Sequence, residues 1–117
     1  MASIILLGLE DDLADNLMRV LRQQKHETAV AGSIHAAEIR DADIIFAGGD
    51  AADYRETVGR LTEMYPQVPV VVVNRHPDNA RWLDALELGA ADYCGAPFEP
   101  IQVRWVLDSA MRHAVAA

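Results

Sequence analysis

The chain predicts an α/β domain in which a parallel sheet is covered by helices on both faces, and three observations carry that prediction. Short apolar runs alternate with helical patterns along the whole length. The run Val70-Val71-Val72-Val73 is β-branched and uniformly apolar, as a strand buried on both faces should be, whereas a half-buried strand would alternate. The 117 residues suffice for one domain with its own core and leave no room for a second, so residues 1–117 read as a single domain.

Each element has its own justification. Ile4 to Leu9 is an apolar first strand that runs into Glu10-Asp11-Asp12, and behind it Leu13, Leu17, Val20 and Leu21 recur at helical spacing, with Asp11 or Asp12 placed to cap. A second strand is expected over Glu27 to Ala31 and a short helix over Ser33 to Arg40. The third strand, Asp43 to Ala47, ends in Gly48-Gly49-Asp50, and the third helix carries Tyr54, Val58, Leu61 and Tyr65 on one face. Pro66 and Pro69 bracket the entry to strand four, which ends at Asn74. A fourth helix follows Pro77 and stops at Leu88-Gly89, where glycine suits the C-terminal cap. Ala90 to Cys94 is the fifth strand, and Ala96-Pro97-Phe98-Glu99-Pro100 turns the chain into a fifth helix with Val103, Leu107, Ala110 and Met111 as its core stripe. Five strands and five helices make a flavodoxin-like (βα)5 three-layer sandwich with strand order 2-1-3-4-5, in which ligand sites collect at the carboxyl ends of strands one, three and four.

Composition narrows the function classes. Hydrophobic residues at 51% and charged residues at 24% exclude a disordered chain. A formal net charge of -8 opposes direct binding to nucleic acid or anionic lipid, so any DNA contact is expected from another domain. The single cysteine, Cys94, has no internal partner and reads as a small buried apolar residue. There is no signal-peptide pattern and no apolar stretch long enough to span a bilayer, which places the expected home in the cytoplasm. His26, His35, His76 and His113 show no ligand spacing, and Ser3, Ser33 and Ser109 lie in no nucleophile turn. Neither an enzyme nor a bound cofactor is expected. The lone Gly48-Gly49 is weak evidence for a nucleotide, because the chain has no Walker sequence and no Gly-x-Gly-x-x-Gly after strand one.

The stretch Gly89-Ala90-Ala91-Asp92-Tyr93 through Pro97-Phe98 resembles, without a gap, the response-regulator receiver domain family of two-component signal transduction, where it reads Gly-Ala-Asp-x-Tyr and then Lys-Pro-Phe. The resemblance covers essentially the whole chain. It implies an acidic pair after strand one to hold a divalent metal, a phosphoacceptor Asp ending strand three, a hydroxyl residue after strand four and a Lys after strand five. This chain departs from that set. Leu9 and Glu10 fall on the acidic pair, or Glu10 and Asp11 after a slip of one residue, which leaves room for weak Mg2+ binding. Gly48 stands at the acceptor position, Asn74 replaces the hydroxyl residue, and Ala96 replaces the Lys, offering neither charge nor hydrogen bond. The pocket keeps an acidic floor of Glu10, Asp11 and Asp50, whose repulsion toward phosphate Arg75 partly offsets.

In the family, the surface of helix four, strand five and helix five carries dimer contacts or docks partners. Trp82, Tyr93, Trp105 and Val106 fall on or beside it, apolar side chains set off the core stripe; as large side chains they would alternatively cover the edge of the core. Tyr93, which in the family swings inward on activation, is expected to be fixed, since the groups that drive the swing are missing. The resemblance thus implies an atypical, pseudo-receiver member of a signalling or transcriptional regulator, unphosphorylated on Asp and acting through protein contacts, with a fused effector domain or a second copy as partner. Two alternatives stay open: a conventional Mg2+-dependent receiver using Asp50, in competition with a plain Gly-Gly-Asp turn, and a flavodoxin-like module binding a small molecule in the acidic cleft.

Overall fold

The computed structural model describes residues 2–50, 52–76 and 78–116, with side chains through Arg112, so that His113 lies outside the described side chains. Five parallel strands, β1 (Ser3–Leu7), β2 (Glu27–Ala31), β3 (Ile44–Gly48), β4 (Val70–Asn74) and β5 (Asp92–Gly95), form one sheet in the order β2-β1-β3-β4-β5. The helices are α1 (Asp11–Gln23), α2 (Tyr54–Met64), α3 (Asn79–Glu87) and α4 (Pro100–Ala116). This is the flavodoxin-like order expected from the sequence.

The period-2 geometry of the strands divides the core into two layers. Ile4 and Leu6 of β1, Ile44 and Phe46 of β3, and Val71 and Val73 of β4 face α1 and α4, where they meet Leu13, Leu17, Leu21, Val103 and Leu107. Ile5, Leu7, Ile45, Ala47, Val70 and Val72 face the other way, onto Val58 and Leu61 of α2 and Ala85 of α3. Because both faces are covered, β4 is buried from end to end, which is why its sequence shows no alternation.

Three expectations need correction. The helix over Ser33 to Arg40 is instead a 3-10 turn, Ala37–Asp41. The Ser33 hydroxyl accepts a hydrogen bond from the His35 N–H at 3.1 Å and the Ser33 carbonyl accepts from the Ala36 N–H at 3.2 Å, local bonds that compete with helix formation, and Ile39 is the only buried anchor of the turn. The N-cap of α1 is Glu10, with no side-chain cap bond, and Asp11 and Asp12 lie in the first turn, where they suit the helix dipole. On α4 the buried stripe is Val103, Val106, Leu107 and Ala110, so Val106 belongs to the core and not to the surface, while Met111 is 38% exposed. Helix α3 is likewise anchored through Ala85, with Leu83 and Leu86 exposed.

Gly89, at φ +97°, takes the left-handed position just past α3 that a side chain disfavours. The Asp78 carboxylate caps the start of the same helix by accepting from the Arg81 N–H at 2.8 Å.

Candidate functional site

The carboxyl ends of β1, β3, β4 and β5 meet at one edge of the sheet. The β1–β3 register pairs Leu7 with Ala47, which sets Gly48 beside Gly8. Gly8 turns the chain through φ +76° and lays its own backbone over the end of β3. A Cβ at Gly48 would lie 2.7 Å from the Gly8 carbonyl carbon and 3.3 Å from the Leu9 nitrogen. The obstacle is backbone, so no side-chain rotamer relieves it. A Cβ at Gly49 would come within 2.6 Å of the Asn74 Oδ1 and 2.7 Å of a Val72 methyl. The Gly-Gly pair is thus what lets β1, β3 and Asn74 close together. Between them lies a cleft of about 160 Å³ lined by Gly8, Leu9, Glu10, Leu13, Gly48 and Asp50.

Asp50 turns back over this edge. Its carboxylate accepts from the Asn74 Nδ2 at 3.0 Å and from the Arg75 backbone N–H at 2.9 Å, with the Arg81 guanidinium at 3.9 Å. Asn74 is 1% exposed, the one buried polar side chain among the described core residues, and Asp50 satisfies its amide. Arg75 reaches in the opposite direction: NH1 and NH2 donate to the two oxygens of Asp12 at 2.9 and 2.8 Å, and NH2 lies 3.4 Å from Glu10. The Asp12 pKa is lowered chiefly by its hydrogen bond to Arg75, and that of Arg75 is raised by the same bond.

The structure therefore brings together Gly48, Asn74, Glu10 and Asp50, and sets Ala96 at the same edge, half-buried, with its N–H donating to the Asn74 carbonyl at 3.1 Å. Asp11 is exposed and makes no recorded contact with this group. Asp12 joins the site without having been singled out; a third acidic residue in the run carries no signal of its own until Arg75, 63 positions away, folds onto it.

Comparison with known proteins agrees with this geometry. No protein-family model matches the chain. Over 126 residues it is 31% identical to the response regulator protein FleR of Pseudomonas aeruginosa, covering 98% of this chain and 25% of FleR. NtrX from Brucella abortus superposes with a TM-score of 0.82 at 24% identity over 98% of this chain and 28% of NtrX. The beryllofluoride-activated NtrC4 receiver domain, solved as a dimer, gives 0.78 at 18% identity, covering 97% of this chain and 99% of that one. The chain is a response-regulator receiver domain. It spans about a quarter of the length of FleR.

As a receiver domain it fits the family's metal poorly. Leu9 carries no donor, Gly48 offers no carboxylate, and Glu10 and Asp12 are already paired with Arg75. Among the described residues no group of three His, Cys, Asp or Glu side chains is arranged to hold a metal ion. No step through a divalent ion follows from this donor set.

The receiver domain's α3–β5–α4 face is markedly apolar. Trp105 is 74% and Ile101 73% exposed on α4, and Trp82 is 42% exposed on α3 beside Leu83 and Leu86. A cleft of about 820 Å³ runs past Ile101, Trp105 and Val106, rimmed by Asp92, Glu99, Asp108 and Arg112. Tyr93 is half-buried, its hydroxyl enclosed without a hydrogen-bond partner among the described residues, and burial pushes its pKa up. Cys94, the next residue of β5 and on the opposite face of the sheet, is buried and its pKa is pushed up to about 12 by desolvation. Among the described residues no helix is long and apolar enough to cross a membrane.

Proposed function

We propose that this receiver domain does not accept a phosphoryl group on Asp and works through protein contacts of its α3–β5–α4 face, as a cytoplasmic module of a bacterial regulator whose effector domain makes any DNA contact. The carrying observation is the close approach of Gly8 and Gly48: backbone fills the space into which an acceptor side chain would project. Ala96 reinforces it, because nothing at that position neutralises transferred charge. Asp50 is a poor substitute acceptor, since both of its oxygens are engaged, one by Asn74 and the other by the Arg75 N–H. The small-molecule alternative is disfavoured by size, because the cleft of about 160 Å³ is below the roughly 300 Å³ at which ligand pockets begin.

For the contact face, the support is exposed tryptophan and isoleucine gathered on one surface with a charged rim of three carboxylates and Arg112, the composition of an interface core and not of a plain surface. The NtrC4 receiver domain is dimeric, which makes a second copy the first partner to test.

Incubation with acetyl phosphate and Mg2+ followed by intact-mass analysis is expected to leave the protein without an adduct, and a phosphoryl adduct on Asp50 would return the conventional mechanism. Sedimentation of the wild type and Trp105→Ala then tests the face: a self-association weakened by the substitution supports it, and equal association of both proteins removes Trp105 from it.

A further inference from the structure

We infer that Arg75 is a counter-ion built into the carboxyl edge of this domain: the chain's own guanidinium neutralises the carboxylates that would otherwise draw a divalent cation, and together with Asp50 it holds residues 74 and 75, where the chain leaves β4, in one arrangement. This rests on the unphosphorylated reading above and extends it from what the site lacks to what replaces it.

The geometry is that of a purpose-placed cation. Two guanidinium nitrogens grip the two oxygens of Asp12 in a bidentate pair at 2.8 and 2.9 Å, the arrangement in which arginine binds a carboxylate most selectively. The same NH2 lies 3.4 Å from Glu10, so one nitrogen is shared by the two carboxylates that flank the start of α1. Meanwhile the backbone N–H of Arg75 donates to Asp50, and the preceding residue, Asn74, donates its side-chain amide to that same carboxylate. Residues 74 and 75 are thereby tied to α1 on one side and to the β3–α2 loop on the other. Arg81, from α3, adds a second cation 3.9 Å from Asp50. All of these ties are internal to the chain, so residues 74 and 75 are held without metal or phosphoryl donor.

The test is a Mn2+ titration of the wild type, Arg75→Ala and Arg75→Gln, followed by water-proton relaxation, together with amide hydrogen exchange of the three proteins without metal. Loss of the guanidinium exposes Glu10 and Asp12 to added cation, so both variants are expected to bind Mn2+ at least about tenfold more tightly than the wild type. Protection of the amides at 74–81 is expected to fall about threefold or more in both. Arg75→Gln removes the charge but keeps a polar side chain with part of the aliphatic stem, and serves if Arg75→Ala folds poorly. Equal Mn2+ affinity in the wild type and the variants, or unchanged exchange at 74–81, overturns the inference. A wild type that is free of phosphoryl adduct but fails this test removes the counter-ion alone, whereas an adduct on the wild type removes the unphosphorylated reading first.

Discussion

Gly48→Ala is the substitution whose effect follows most directly from the packing. The new methyl group would stand 2.7 Å from the Gly8 carbonyl carbon and 3.3 Å from the Leu9 nitrogen, well inside van der Waals contact. Overpacking a core by a methyl group usually costs 1 to 3 kcal/mol when neighbouring side chains can move aside. Here the neighbours are main chain, fixed by the β1–β3 ladder on one side and by the start of α1 on the other, so the penalty belongs at the upper end, about 3 kcal/mol. For a domain of this size that lowers Tm by about 12 °C. Urea unfolding followed by tryptophan fluorescence reads the change as a lower midpoint at constant slope. Gly59→Ala is the internal control: Gly59 lies within α2, and a Cβ there meets nothing within 4 Å, so the same chemical change should stabilise by about 0.5 to 1 kcal/mol. A Gly48→Ala protein within about 0.5 kcal/mol of the wild type would refute the argument that backbone closes this site.

Asp50→Ala leaves the buried Asn74 amide and the Arg75 N–H without their acceptor and is expected to cost about 1 to 3 kcal/mol in the same assay, with Asp50→Asn less severe. The buried Cys94 thiol, with its pKa pushed up from an ordinary 9.0 to about 12, should resist a thiol reagent in the native protein at mildly alkaline pH and react at once in denaturant. The raised native pKa means that the unfolded chain releases the proton first, so this contribution is intact below pH 9.0 and drains away as pH rises toward 12; Cys94→Ala should flatten that alkaline decline in the urea midpoint. His26 behaves in the opposite sense. Burial lowers its pKa, and its Nδ1 accepts from the Ala2 N–H at 3.0 Å, a bond only the neutral ring makes, so stability present above pH 6.5 should fall as acid is added, and His26→Ala should lessen that fall.

The strands were legible because their chemistry is unambiguous. Runs such as Val70–Val73 have one good solution, a strand covered on both faces, and Gly89 and Pro100 punctuate the helices where such residues are cheapest. The failures share a physical origin in choices that sequence leaves nearly degenerate. Helical spacing admits both i+3 and i+4 neighbours, so stripes through Met111 and through Val106 fit the same sequence, and the packing buries Val106. The segment after β2 has a helical composition, but Ser33 diverts its backbone bonds into a turn. At the functional edge the sequence shows that Gly48 and Ala96 carry no charged side chain. It does not show the filling of the space, because Gly8 and Gly48 are 40 positions apart and acquire meaning only when β1 pairs with β3, and the grip of Arg75 on Asp12 likewise exists only in three dimensions.

The meeting of Gly8 and Gly48 also bears on how such a domain changes over generations. An aspartate introduced at the end of β3 would encounter the same main-chain wall as alanine. That step loses stability before any gain in chemistry can be tried. Room for a carboxylate at the end of β3 therefore has to be made first at Gly8, so the two glycines form a coupled pair of positions that can change only together.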